Sequence, residues 1–343
     1  MATTTVTVEP HAFTDWTSRD HIGQSATGYL LGRKVTVLGA PGSVGEVNLH
    51  GEHTDFHWPV FTPSLPSSDS VGLISKRDDS QFEIKLEGEV QEVVLHLGSL
   101  ASVLTFDEPR TTVTKVSGDE HFQVAGNVVT GQENTPGRPT DSNGTIRVSK
   151  SATFSSVKFK LRKNYSSDLP DDGVYLQIGR MVEFADWTVR ENDQTAVGKL
   201  RGQRVKAVGR LNEVNLNGEH RDFHWPFFTP SLSTSDTVGL ESTRDESEFT
   251  IDFGVEVQDV IFHLGSLGST MTFDPGTTVT KVSGDDGFDA PGRNVVTGLA
   301  RNGTPSDSNG TVCVSRPRPF KSIKFRLRYG GERADGVYLQ IGR

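Results

Sequence analysis

Two imidazoles and a carboxylate alternate in a block that the chain carries twice. The block reads GEHTDFHWPVFTPSL over 51–65 and GEHRDFHWPFFTPSL over 218–232, and the alternating residues are His53, Asp55 and His57, then His220, Asp222 and His224. On a strand these side chains would share one face, and they could bind Zn²⁺ or a similar transition metal that activates water for hydrolysis. Pro59 and Pro63 instead favour a rigid loop held by its own hydrogen bonds. The block predicts a metal site, a surface for a ligand or partner, or a structural loop.

Flat apolar side chains accompany these polar groups. Tryptophan and phenylalanine occur at matching positions of both copies, at Trp58, Phe56 and Phe61 and at Trp225, Phe223 and Phe228. Sugars stack on aromatic faces while Asp, Asn and His bind their hydroxyls, so the block could form a glycan platform. The alternative is that the Trp-Pro pair packs over the end of the domain as part of its core.

Four aspartates suggest a calcium site. They lie near the start of each copy and at the opening of its last predicted strand, at Asp15, Asp172, Asp186 and Asp335. If the first and last strands pair, these carboxylates could meet and bind a structural Ca²⁺ with backbone carbonyls. The alternative is that they are ordinary turn-forming aspartates. We expect no other cofactor.

Basic residues alternate with apolar ones in a predicted strand of each copy. This basic stripe consists of Lys158, Lys160 and Arg162 in the first copy and Lys324, Arg326 and Arg328 in the second. Such a local field could attract an anionic polymer, a mineral surface or an acidic partner. A solvated sheet face, or an edge strand charged against aggregation, would show the same pattern.

Composition narrows the classes of function. The net charge of −9 and the pI of about 5.6 argue against general nucleic-acid binding. The sequence has no apolar run that could insert in a membrane, and its first residues do not resemble a signal peptide. We therefore expect either an intracellular protein or an extracellular or cell-surface protein whose leader was removed. Cys313 is the only cysteine, so no disulfide forms within the chain.

The duplication extends along almost the whole chain. Trp16 matches Trp187, Trp58 matches Trp225, and Gln177 matches Gln340. A repeat of this length is a domain. The sequence therefore predicts one domain over 1–180, with an N-terminal tail over 1–12, and a second over 181–343. No Gly/Ser-rich linker separates them, so we expect a fixed mutual orientation with pseudo-twofold symmetry.

Short apolar runs of period two indicate β-structure. Phe249, Ile251 and Phe253 alternate with polar residues, and VQDVIFHL over 257–264 is apolar on both faces, as in a central strand. The repeated DSNGT, which contains Asn143 and Asn309, is typical of a hairpin turn. No stretch has helical spacing. The predicted fold class is all-β: two tandem homologous β-sandwich (jelly-roll-like) domains of eight to ten strands each.

Several motifs resemble a known family. They are TPxxxxSDxVGL, EFTIDFGVEVQDVIFHLGSLGS, VTKVSGDDGF…NVVTG, NGTVxVS…FKSIKFRLR and the closing DGVYLQIG. Together they resemble the β-sandwich domain of bacterial secreted and cell-surface proteins of the PEP-CTERM type, over about two thirds of each copy. The resemblance implies a fold similar to carbohydrate-binding sandwiches and an extracellular location, and it implies no catalytic residues. The GEHxDFHWP block lies outside the family pattern.

These observations favour binding over catalysis. The sequence has no nucleophile elbow, phosphate loop or local Cys/His signature, so we expect no enzyme. The first hypothesis is a bivalent binding protein that recognises a glycan or polyhydroxylated surface through the GEHxDFHWP segment. The second is a building block of an extracellular matrix, surface lattice or mineral-associated assembly, with a protein partner on the same segment. The third is a metal-dependent hydrolase that uses the HxDxH residues.

Overall fold

The chain folds as two units, Met1–Met181 and Val182–Arg343. The computed structural model describes residues 11–49, 56, 59–62, 65, 69–75, 79–133, 141–164, 171–216, 223, 226–230, 236–243, 245–300, 307–329 and 335–343. The division lies one residue after the expected position, because the last strand of the first unit continues through Met181. A strand also begins at His11, within the segment expected to be a tail.

The described part of the first unit is built from strands. In chain order they are β1 (His11–Phe13), β2 (Asp15–Arg19), β3 (Ser25–Leu30), β4 (Arg33–Leu38), β5 (Val44–Asn48), β6 (Ser70–Ser75), β7 (Ser80–Leu100), β8 (Ser102–Thr105), β9 (Thr111–Gly118), β10 (Gln123–Ala125), β11 (Val128–Thr130), β12 (Ser142–Lys163) and β13 (Asp172–Met181).

The second unit repeats this order, but the counterpart of β1 is only an isolated bridge between Phe184 and Gly342. Its strands are β14 (Asp186–Asn192), β15 (Thr195–Leu200), β16 (Gln203–Val208), β17 (Leu211–Asn215), β18 (Thr237–Ser242), β19 (Ser247–Leu267), β20 (Thr270–Phe273), β21 (Thr278–Gly284), β22 (Asp289–Gly292), β23 (Val295–Thr297), β24 (Ser308–Arg328) and β25 (Asp335–Gly342). No α-helix occurs among the residues that the structure describes, so none there could cross a membrane.

Each unit is a β-sandwich whose two layers share two long strands. In the second unit the first layer is β14-β15-β16-β19-β24-β20-β23-β22, formed by the N-terminal half of β19 and the C-terminal half of β24. The second layer is β17-β18-β25-β19-β24-β21, formed by the other halves of the same two strands. In the first unit β7 and β12 have these two roles. The all-β sandwich prediction is confirmed, with more strands than expected.

The long strands bend at bulges. In β19 the register with β24 shifts between Asp252 and Val257, and Gly254 lies between them with a φ of 68°. This left-handed conformation suits glycine, and a bulge lets one strand turn from one layer into the other. The sequence pattern suggested two separate strands here, because hydrophobic period alone cannot show that a strand continues through a bulge.

The main core of the second unit lies between its layers. Phe262 of the second layer meets Phe273 and Phe325 of the first, with ring centroids 5.7 Å and 6.0 Å apart. All three side chains are buried. The expected alternation of Phe249, Ile251 and Phe253 is present, since each is buried in this same core.

A buried polar contact joins the first layer to the second in both units. Trp187 Nε1 donates to Gln340 Oε1 at 3.2 Å, and Gln340 Nε2 donates to the carbonyl of Ala185 at 2.9 Å. The equivalent Trp16–Gln177 bond is also 3.2 Å long. The repeated Trp and Gln residues therefore fasten the start of each sandwich to its last strand.

Candidate functional site

The repeated block over 51–65 and 218–232, which begins with the GEHxDFHWP segment, lies against the outer face of the second layer where the structure describes it. Phe223 and Phe228 are buried there, with ring centroids 4.8 Å apart, and pack against Phe184 and Tyr338. Tyr338 is on the outer face, because Val337 and Leu339 on either side of it belong to the main core. In the first unit Phe56, Phe61 and Leu65 form the corresponding cluster with Phe13 and Tyr175.

The phenylalanines of this segment are anchors, which corrects part of the glycan-platform hypothesis. Phe56 and Phe61 are 1% and 4% exposed, and Phe223 and Phe228 are 2% and 3% exposed. They therefore cannot offer their faces to a sugar. The predicted contact residues His53, Asp55, His57, Trp58, His220, Asp222, His224 and Trp225 lie outside the described residues.

A buried histidine lies beneath each anchor cluster. In the second unit His263 is fully buried, and its Nδ1 lies 2.6 Å from Thr311 Oγ1. Its ring meets Phe184 and Phe228 at centroid distances of 4.7 Å and 5.3 Å. Because burial removes water from the charged imidazolium, the pKa of His263 falls from about 6.5 to about 3. Near neutral pH this histidine is therefore uncharged.

The same threonine fastens the segment to the sheet. Thr311 Oγ1 also accepts a hydrogen bond from the backbone N–H of Thr229, at 3.0 Å. In the first unit Thr145 Oγ1 accepts from the Thr62 N–H at 3.3 Å and lies 2.9 Å from His96 Nδ1. Sequence reasoning missed this arrangement, although a histidine within the apolar run of β7 and of β19 was a signal of a buried polar contact.

The basic stripe does project outward, but acids accompany it. Lys160 Nζ lies 2.6 Å from Asp107 Oδ2, and this hydrogen bond, together with the charge of Asp107, raises the pKa of Lys160. In the second unit Arg326 pairs with Glu248 at 3.0 Å. Opposite charges so close weaken the isolated positive field that recognition of an anionic or mineral surface would need. The stripe fits a charged, solvated sheet face better.

The strand register does not bring the calcium candidates together. Asp186 follows Ala185, whose N–H donates to the carbonyl of Ile341 near the end of β25. Asp335 lies at the opposite end, where that strand begins. Six residues of extended chain span about 20 Å. Asp15 and Asp172 of the first unit are separated in the same way, because the N–H of Thr14 donates to the carbonyl of Ile178. Within the described ranges no group of three or more potential metal ligands occurs.

Asp335 instead belongs to a hydrogen-bonded corner. Its Oδ2 accepts from Ser269 Oγ at 2.6 Å and from the Gly268 N–H at 3.2 Å. Burial raises the pKa of Asp335; the bond from Ser269 opposes that rise, and the nearby charge of Asp307 adds to it. These contacts give the carboxylate a structural role.

The Asn-Gly pairs are strand residues, so the predicted hairpin turn is wrong. Asn143 and Asn309 are buried near the start of β12 and β24. Asn309 N–H donates to Asp285 Oδ2 at 2.7 Å, and its Oδ1 accepts from the Ser266 N–H at 3.0 Å. Tertiary hydrogen bonds therefore override the local turn preference of Asn-Gly.

No known protein-family model matches the chain, and no curated protein matches it either. Among solved structures it is similar to allantoicase from Saccharomyces cerevisiae, with 14% identity, a TM-score of 0.20, and coverage of 79% of this chain and 81% of that one. It is also similar to the CBM32-1 and CBM32-2 domains of Clostridium perfringens ZmpB in complex with GalNAc, with 8% identity, a TM-score of 0.18, and coverage of 95% and 98%. A fucolectin from striped bass (Morone saxatilis) serum has 9% identity, a TM-score of 0.21, and coverage of 96% and 95%. These overlaps are too low to transfer a ligand or an activity.

Proposed function

We propose that the protein is a non-catalytic, bivalent binding protein that recognises a glycan or another polyhydroxylated surface through the GEHxDFHWP segment. The observation that carries the proposal is the equal anchoring of this segment in the two units. Phe56 and Phe223 are buried at matching positions of the segment, and shortly after it the N–H groups of Thr62 and Thr229 bond to matching threonine hydroxyls. Two units that hold the segment alike can carry two sites of the same chemistry, and paired sites bind with avidity.

The contacts of one repeated aspartate support a non-catalytic role. Asp119 Oδ1 accepts from the N–H groups of His121 and Phe122, both at 2.9 Å, and Asp119 Oδ2 accepts from the Asn143 N–H at 2.6 Å. Because backbone N–H groups occupy both oxygens of Asp119, this carboxylate holds two parts of the chain together and is poorly placed for acid–base chemistry on a substrate.

An exposed leucine precedes the segment in both units. Leu49 is 43% exposed and Leu216 is 40% exposed, each two residues before the repeated GEH. An apolar side chain at the same place in each unit could contact the C–H face of a sugar. It also favours the second candidate function, a building block of an extracellular assembly whose protein partner contacts this surface. In both cases we propose an extracellular or cell-surface location.

A glycan array probed with the intact chain tests the first candidate. The Trp58→Ala/Trp225→Ala variant should lose binding, whereas either single substitution should retain one site and lose the avidity of the pair, on the order of 10²-fold or more. Arg162→Ala/Arg328→Ala is the matched control, because it removes a repeated exposed side chain from the other layer.

Thermal unfolding should confirm that all variants are folded. Binding that survives in the double tryptophan variant would refute recognition through this segment. If the native chain binds no glycan and instead assembles as its concentration rises, the second candidate function is correct.

A further inference from the structure

An open groove crosses the outer face of the first layer in the first unit. Its floor is formed by the adjacent strands β7 and β12, where Glu83 lies opposite Lys158 and Gln81 opposite Lys160. These four side chains project outward, because the residues that alternate with them are buried. The groove has a volume of about 1170 Å³. Typical small-molecule sites have about 300–1,000 Å³, so the groove is large enough for an extended ligand.

Two connecting segments form the walls of the groove. On one side residues 39–43 follow β4, and Ser43 Oγ donates to the carbonyl of Ala40 at 2.6 Å. On the other side residues 107–109 follow β8, and Glu108 Oε2 accepts from Lys150 Nζ at 2.6 Å and from the Lys158 N–H at 3.1 Å. Hydrogen bonds therefore fix both walls, and the site is formed before any ligand binds.

The groove presents both engaged and unengaged polar groups. Lys160 pairs with Asp107 at 2.6 Å, and Glu83 lies 3.6 Å from Lys85. The side chains of Gln81 and Lys158 have no hydrogen bond or ion pair in the part of the chain that the structure describes. A free amide and a free ammonium thus lie on the floor of the groove, between charged pairs.

This chemistry favours hydroxyl groups over charged groups as ligands. Four carboxylates and two ammonium groups line the groove, so a phosphate or sulfate would meet net repulsion. A cation would have to compete with Lys160 for Asp107 and with Lys150 for Glu108. A hydroxyl can donate to a carboxylate or to the Gln81 amide oxygen and can accept from Lys158, without breaking any pair.

We propose that this groove is a second binding site that takes a segment of a neutral oligosaccharide. The apolar side chains of Leu38, Ala40 and Pro109 line it as well and can contact the C–H faces of the sugar rings. The inference shares its ligand class with the proposed function and rests on it in that respect only. The groove occupies the first layer, whereas the GEHxDFHWP segment packs on the second.

The corresponding face of the second unit has a different construction. Between β16 and β17 only Gly209 and Arg210 stand where the first unit has the five residues 39–43. Glu248 occupies the place of Gln81 and forms an ion pair with Arg326 at 3.0 Å. With a shorter wall and no free amide, this face is not expected to bind the same ligand.

The test measures binding of cellotetraose, mannotetraose and chitotetraose to the intact chain by isothermal titration calorimetry and saturation-transfer NMR. Gln81→Leu/Lys158→Met removes the free polar groups and keeps side-chain size, and Glu248→Leu/Lys324→Met is the matched control in the second unit. The groove variant should bind the active tetrasaccharide about tenfold or more weakly, because it loses at least two hydrogen bonds. The control and the Trp58→Ala/Trp225→Ala variant should retain this binding.

Each outcome separates the groove from the repeated segment. If none of the three tetrasaccharides binds, or if the folded groove variant binds like the native chain, the groove proposal is wrong. If the tryptophan variant alone loses binding, the segment is the glycan site and the groove is not. If the groove variant alone loses binding of the tetrasaccharide, the groove proposal is correct, and the glycan array decides separately whether the repeated segment binds a glycan.

Discussion

The buried His263 should make the second unit less stable as the pH falls. Its imidazole lies between Phe184 and Phe228, and its Nε2 has no hydrogen-bond partner among the described residues. The folded-state pKa is about 3, against about 6.5 for an exposed histidine. Below about pH 6.5 the His263 side chain therefore binds a proton in the unfolded chain but not in the folded chain, so the free energy of unfolding decreases as the pH falls.

The size of the effect follows from these two pKa values. The loss is about 1.4 kcal/mol per pH unit well below the unfolded-state pKa, and about 2 kcal/mol between about pH 7 and pH 5. The loss in the free energy of unfolding reaches its full value only when the pH falls to the folded-state pKa of about 3. Above about pH 7 the histidine is neutral in both states and contributes no pH dependence.

Urea unfolding measured at several pH values tests this reasoning, with the amide signals of β19 as the reporter of the second unit. His263→Phe keeps an uncharged ring in the same place, so its stability relative to the native chain should improve by about 2 kcal/mol on going from about pH 7 to pH 5. His263→Gln provides an independent uncharged variant if the larger ring disturbs packing. Equal pH dependence in the native chain and both variants, or an NMR titration of the His263 ring near its ordinary pKa, would refute the argument.

Two structural predictions concern repeated residues. Gln340→Leu should destabilise the second unit by about 2–3 kcal/mol, because it leaves the Trp187 Nε1–H and the Ala185 carbonyl without their partner. Trp187→Phe should destabilise it less, and thermal unfolding of both variants measures the difference. Gly310→Ala should lower the free energy of unfolding by about 1–3 kcal/mol, because the added Cβ would clash with the Phe288 ring. Gly173→Ala, where no atom lies within 4 Å of the added Cβ, should be far milder in the same assay, and equal effects would contradict the steric argument.

The fold was largely predictable because the alternation of a strand can be recognised within a few residues, and because the duplication is visible from direct comparison of the two copies. Phe249, Ile251 and Phe253 indicated one buried face, and the structure buries all three. The continuity of β19 through its bulge was not predictable, because a glycine in the left-handed region looks the same as a glycine in a turn. Asn143 was misread for a related reason: its turn preference is local, whereas the Asp119 carboxylate that holds it in a strand comes from 24 residues earlier.

The candidate sites were less predictable because their walls come from distant parts of the chain. The basic stripe was correctly placed on an outer face, but the sequence could not show that Asp107 would lie against Lys160. The groove requires the segment over 39–43 and the turn over 107–109 to flank the same two strands, and only the sheet order brings them together. Phe61 and Phe228 are of a residue type that can stack on sugars, but both are buried and instead anchor the repeated block to the sheet.

Identity between the two copies is therefore a weak guide to ligand contact in this chain. The matched Trp–Gln, His–Thr and Asp–Asn contacts explain why both copies keep those residues, since each fastens strands of the sandwich. A difference between the copies points instead to the groove. Gln81 lies on its floor in the first unit, and Glu248 occupies the same position in the second. The two proposals consequently differ in stoichiometry. Recognition through the repeated segment requires two equivalent sites per chain, whereas recognition through the groove requires one, and a calorimetric titration with a soluble ligand distinguishes them.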